Sequence, residues 1–387
     1  MMRINTNARA CTFAFLTVLL LVFPDRQAHS QVLEDLRVFG YFQSYFANVD
    51  GDALILPENI PATDQRNTFN QQQLNLLFAK DLTDSFSAFV NVELTNSFST
   101  KDNWGSIKLE EAWVRYNHSS GLNIKAGLQI PTFNYLNEIK NRTPLLPYII
   151  RPSVYEAAFD DVLPNRLFVP QQGYLQIYGA IPFRGTRFDY SIYAGNQDAF
   201  ITDSTRLTAV SGTDTTRAAL VGSRLGLRYR NLKVGVSGTM DNDNLDYLGL
   251  GSVRRFRLGA DLSFTFKRFF FEGELIAVRH NPDDLQQSFL KLIAQNTPLL
   301  DNNLDKFFYY ALLGYNITDK WFIYGYRDYL EDQVITALRG GFGALAVGGG
   351  YRPIDPVVVK LQGIYAETNN KDLYKGTFLL VGVSVLF

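Results

Sequence analysis

Gly376 to Phe387 reads GTFLLVGVSVLF. In an extended chain Leu379, Val381, Val383, Val385 and Phe387 lie on one face, and Gly382 and Ser384 lie on the other. An alternating strand that ends on an aromatic residue suits the closing strand of a membrane-spanning β-barrel. The lipid face of such a barrel is an apolar band edged by aromatic girdles.

The opposite end of the chain agrees with a destination beyond the inner membrane. Arg3 and Arg9 precede the apolar run Cys11 to Phe23, which is followed by Pro24 and Ala28-His29-Ser30. This pattern predicts a signal peptide over residues 1–30 with cleavage before Gln31, because the run is shorter than the roughly 18–20 residues a spanning helix needs. Cys11, the single cysteine, leaves with it. The remaining domain, 31–387, has 34 basic and 37 acidic residues, a net of −3. That balance argues against a nucleic-acid partner, which selects a basic surface. With no second long apolar run, only a closed barrel pairs every backbone group inside hydrocarbon.

Period-two alternation continues through the domain. In 85–95, SFSAFVNVELT, Phe86, Ala88, Val90, Val92 and Leu94 alternate with Ser87, Asn91 and Glu93. Sixteen such strands are predicted, beginning near 36, 68, 85, 106, 122, 171, 186 and 218, then 232, 253, 268, 305, 320, 341, 356 and 374. Long connections alternate with tight ones, as in a barrel whose long loops are all at one end. The last outward residues of the even strands are Phe78, Tyr116, Tyr229, Phe266, Tyr315, Tyr351 and Phe387, and only the sixth, ending near Ile181, breaks the girdle. A soluble sandwich has no reason for that register. The expected fold is therefore an all-β, transmembrane, antiparallel up-and-down barrel of about sixteen strands with a long third loop folded inward.

Fixing the lipid face fixes the lumen. Arg255 and Arg257 face in on the tenth strand with Asp261, Arg224 and Arg228 on the eighth, and Lys233 on the ninth. The same parity assigns Lys125, Arg187, Lys306, Arg327 and Lys360 to the lumen, with Glu93, Glu111, Asp189, Glu272 and Glu274 as inward acids. Two readings of Arg224, Arg228, Arg255 and Arg257 stand side by side: a basic strip that attracts anions, since guanidinium matches carboxylate and phosphate, or cations paired with Asp261, Glu272 and Glu274. Weak anion preference follows from the count; tight phosphate selectivity does not.

Residues 133–170 are apolar and stiffened by Pro144, Pro147, Pro152, Pro164 and Pro170, which suits a packed segment. It is expected to enter the barrel as a constriction, with Arg142, Arg151 and Arg166 facing Glu156, Asp160 and Asp161 across the opening; an external cap or a contact between copies is the other reading. In 280–304, Phe289, Leu290, Leu292 and Ile293 are expected on one side of a short helix. His118 and His280 have no sequence partner for a metal or a nucleophile, and Gly348-Gly349-Gly350 lacks the rest of a phosphate loop. Neither an enzyme nor a cofactor is expected.

LEEAWVRYN (Leu109 to Asn117) followed by LNIKAGLQIPTFN (Leu122 to Asn134) resembles a strand pair of bacterial outer-membrane porins related to the phosphate-selective porin family. The resemblance implies a homotrimer in the outer membrane of a Gram-negative-type bacterium, an inward third loop, and diffusive uptake of small, often anionic solutes. The competing expectation is a non-conducting structural or adhesive barrel plugged by 133–170.

Overall fold

The computed structural model describes residues 35–53, 66–96, 106–140, 142–156, 169, 171–197, 218–245, 249–296, 304–332, 341–369 and 374–387. The strands are β1 (Arg37–Ala53), β2 (Arg66–Asp81), β3 (Phe86–Asn96), β4 (Ser106–Ser119), β5 (Leu122–Gln129), β6 (Gln172–Phe183), β7 (Thr186–Asn196) and β8 (Ala218–Tyr229). They continue as β9 (Leu232–Asn244), β10 (Ser252–Phe266), β11 (Phe269–Asn281), β12 (Lys306–Asn316), β13 (Trp321–Asp332), β14 (Phe342–Ile354), β15 (Val357–Thr368) and β16 (Tyr374–Leu386). Among the described residues an α-helix, α1 (Asp284–Asn296), sits between β11 and β12.

Each strand pairs antiparallel with its chain neighbours, and β1 pairs with β16 to close the ring. Closure leaves no strand edge unpaired, so the backbone needs no water along the wall. At the seam, Gly40 and Phe387 exchange two backbone hydrogen bonds of 2.8 and 2.9 Å. The Phe387 ring covers Gly40 so closely that a Cβ there would lie 2.7 Å from it. At the end where β1 begins, the connections are short: 184–185 and 230–231 are two residues each. Arg184 (φ 45°) and Gly185 (φ 80°) both take the left-handed region that a two-residue type I′ turn demands.

Alternation sorts the side chains as the sequence predicts. On β16, Leu379 and Val381 are exposed, whereas Leu380, Gly382 and Ser384 are buried. On β10, Leu258 and Phe266 are exposed; Arg255, Arg257 and Asp261 are buried behind them. Outward aromatics gather at the short-turn end, where Trp321 stacks on Tyr351 at 4.4 Å and Phe269 meets Tyr315 at 4.7 Å. The sixth strand joins this girdle after all: β6 runs two residues past Ile181 to exposed Phe183, whose ring meets Phe188 at 6.4 Å.

Two expectations change. On β13, Phe322, Tyr324, Tyr326 and Asp328 are buried and Arg327 is exposed, so Arg327 points outward. Both faces of this strand carry aromatics, which hides its parity. On α1 only Leu290 is fully buried, in a small cluster with Leu245, Leu250, Val253 and Leu304. Phe289 and Leu292 are exposed, 42% and 54%, so the helix packs on a different stripe from the one expected.

Candidate functional site

The interior has two unlike halves. From β11 through β16 to β1 the inward side chains are largely apolar, among them Ile276, Phe308, Tyr326, Phe342, Ile364 and Phe378. Phe133, Leu136, Tyr148, Ile149, Ile150 and Val154, from the segment after β5, belong to the same buried cluster. Tyr148 meets Tyr324 and Tyr326 edge-on at 6.5 and 5.9 Å, and Tyr155 meets Phe308 at 6.1 Å.

Polar anchors hold this segment from several strands at once. The Gln362 side chain on β15 accepts from the Ile149 and Ile150 amides, both at 2.8 Å, and donates to the Ile150 carbonyl. Lys360 Nζ donates to Gln43 Oε1 at 2.8 Å and to the carbonyls of Thr143, Pro144 and Tyr148 at 3.2 to 3.3 Å. Asp328 on β13 accepts from the Ser153 amide at 2.6 Å, and Gln43 and Gln72 donate to the Ile149 carbonyl. On the other side, Glu274 of β11 accepts from the Leu136 amide and the Tyr155 hydroxyl, and Ser237 of β9 accepts from the Asn134 amide. A loop backbone exposes unpaired amides and carbonyls, and these side chains satisfy them where water does not reach. Lys140, within the loop, bonds Asn137 Oδ1 at 3.0 Å, and burial holds its ammonium well below the ordinary lysine value.

The other half of the wall, β4 to β10, is polar. A cavity of about 470 Å³ lies between it and the loop residues Thr132, Asn134, Tyr135, Glu138 and Ile139. Six basic residues line it, Arg115, Lys125, Arg187, Arg224, Arg228 and Lys233, against three acids, Glu138, Asp189 and Asp261. Six minus three leaves an excess of +3. Arg224 is paired with Asp261, with Nη2 to Oδ2 at 2.8 Å, while Arg187 (3.1 Å) and Arg228 share Asp189. Lys125 lies 5.4 Å from the Trp113 ring and Lys233 lies 5.6 Å from Tyr135, so both ammonium groups rest on aromatic faces.

Arg255 and Arg257 are inward but do not line the cavity. Both are fully buried, and their partners are Asp241 and Asp243, not Asp261, Glu272 or Glu274. Asp241 takes Arg255 at 2.7 Å and Arg257 at 3.1 Å, and Asp243 takes Arg255 at 2.8 Å and His280 at 2.9 Å. The tract MDNDN has a turn-like composition, which conceals that β9 continues to Asn244 and lays Asp241 opposite Arg255. Lys306 is likewise paired, with Asp332 at 2.7 Å. Glu111 is buried, accepts from Trp113 Nε1 at 3.0 Å and lies 3.9 Å from Arg142.

Of the charges expected to face one another across the opening, one basic–acidic pair meets among the described residues. Arg151 and Glu156 bond each other at 3.2 Å within the loop, because the loop turns back on itself between them. Asp160, Asp161 and Arg166 lie outside the described residues. Arg115, absent from the expected lining, shares the parity of Glu111 on β4, and counting that strand in full finds it.

No family model and no curated protein matches this sequence. Solved structures do match in fold. An anion-selective porin from Comamonas acidovorans superposes with a TM-score of 0.60 at 11% identity, over 91% of this chain and 99% of that one. The outer-membrane channel DcaP of Acinetobacter baumannii gives 0.59 at 12%, over 91% and 97%. Pseudomonas putida OprB gives 0.59 at 9%, over 94% and 96%. At such identities the likeness is one of architecture.

Proposed function

We propose that the chain is an outer-membrane diffusion channel for small polar solutes, that residues 130–140 and 142–156 fold into the barrel and fill its apolar half, and that the water path runs beside β4 to β10 with an anion preference. The basic cavity carries this reading. A fixed excess of positive charge in a confined low-dielectric passage raises the local concentration of anions. The arginines that remain half-exposed at one end, Arg187 and Arg228, are the ones that meet a passing solute. Phosphate and small carboxylates fit their chemistry, and the pairing of Arg224 with Asp261 favours weak over tight selectivity. The likeness in fold to an anion-selective porin and to other outer-membrane channels supports the assignment.

The belt of exposed apolar residues supports lipid around the wall. Within it β1 and β2 carry outward polar pairs, Asn48 with Asn67 at 2.6 Å and Ser44 with Gln71 at 3.4 Å. Polar groups on a lipid face favour a protein neighbour there, which supports a homotrimer; an unboiled gel showing only monomer overturns that part. The test of function is a planar-bilayer recording across a salt gradient with chloride, phosphate and a dicarboxylate. A reversal potential favouring anions is expected. Cation preference overturns the charge assignment. Absence of conductance overturns the channel and favours a second reading, a barrel plugged by its third loop, which the extent of loop packing makes specific.

A further inference from the structure

Outside the barrel, a trough of about 680 Å³ runs over β7 to β11, with Ile192, Val221, Met240 and Leu258 among its walls. It exists because the outward pair at its floor is small: Ser223 faces Gly238 across β8 and β9, flanked by the larger outward pairs Val221 with Met240 and Leu225 with Val236. Arg279 closes one end, next to Phe256. Arg254 is its diagonal neighbour on β10, two residues along from Phe256, and both arginines are exposed.

Height matters here. Phe256 and Arg279 each stand ten residues from the girdle aromatics Phe266 and Phe269 of their own strands. At about 3.3 Å per residue and a tilt of about 40° that is about 25 Å, the height of the apolar band. Both arginines therefore stand at the headgroup boundary of the far leaflet, with the trough below them in its hydrocarbon. Among the described residues the outward faces of β8, β9 and β10 carry no carboxylate; Asp305 and Glu331 flank Arg279 only on its β12 side.

We infer that this trough binds one phosphorylated lipid of the outer leaflet, an acyl chain lying over Ser223 and Gly238 and a phosphate on Arg254 and Arg279. The inference rests on the membrane placement proposed above. Full-length protein folded in detergent is mixed with diphosphoryl lipid A or its dephosphorylated counterpart, and bound lipid is counted by native mass spectrometry. Retention of one phosphorylated lipid per chain, about tenfold better than the dephosphorylated one, is expected. Arg254→Ala with Arg279→Ala should erase that difference. Gly238→Leu, whose Cβ meets nothing closer than Leu258 at 3.8 Å, should fill the trough and lower retention of both lipids. Lys375→Ala, outward on β16, should change nothing. Equal retention of the two lipids, or indifference to both trough variants, overturns the site, as does a photo-crosslinker at 223 that captures a second chain. Conductance of the same preparations keeps the two questions apart: normal channels without selective retention reject the lipid site alone, and absent channels reject the functional reading itself.

Discussion

Replacing Lys360 by methionine keeps the length of the side chain and removes its donors. Lys360 is buried and holds three loop carbonyls and the Gln43 amide oxygen. The Thr143 carbonyl keeps the Leu146 amide, so two buried carbonyls, those of Pro144 and Tyr148, lose their donor, at about 1–3 kcal/mol each and about 2–6 in all. Burying a thioether instead of an ammonium recovers part of that, since a buried charge carries its own desolvation penalty. A net loss of about 3 kcal/mol is expected, about two powers of ten in the ratio of docked to undocked loop. The Gln362 and Asp328 anchors and the apolar cluster remain, so the barrel should still form. Limited proteolysis of the folded protein checks this, with cleavage expected within 142–156 in the variant and not in the parent. Single-channel traces should gain rapid current fluctuations as the loop leaves and re-enters its seat. An unchanged cleavage pattern together with an unchanged trace refutes the claim that Lys360 pins the loop.

Reversing two charges at the cavity, Arg187→Glu with Arg228→Glu, takes its balance from +3 to −1. The reversal potential should change sign, and the change should shrink in concentrated salt because exposed charges are screened. Asp241→Asn leaves Arg255 and Arg257 buried without their shared carboxylate; unfolding in urea should show a loss of about 3–5 kcal/mol with ion selectivity unaltered. Arg327→Leu removes an outward cation six residues from girdle residue Trp321, about 15 Å into the band. If lipid faces it, folding into bilayers should gain about 2–4 kcal/mol; no gain means that another chain covers it.

The barrel was legible because period two survives wherever the outward face is apolar and the inward face is polar. Sixteen strands and most of the girdle follow from that alone. The rule weakens where the interior is itself apolar, as on β13, since Tyr324 and Tyr326 must be apolar to receive Tyr148. Ion pairing was legible for Arg224, whose partner Asp261 shares the inward face, and hidden for Arg255 and Arg257. Whether Arg255 serves a solute or the fold depends on Asp241 standing opposite it, and that requires the exact length of β9. Gln43, Lys360 and Gln362 have the composition of a polar channel lining, yet each is occupied by the loop backbone. Only the position of a segment more than two hundred residues distant from Gln362 shows that they are saturated.

That docking also orders events in time. The loop is made early in the chain, but its seat is supplied by β13, β15 and the β1–β16 seam, which are complete only when the last strand is in place. Contacts of such long sequence separation form slowly, because the intervening chain must be closed first. A barrel that closed around a misplaced loop would trap it on the wrong side of a wall with no free edge. Insertion of the final strand and seating of the loop are therefore expected to occur together, at the seam that Phe387 completes.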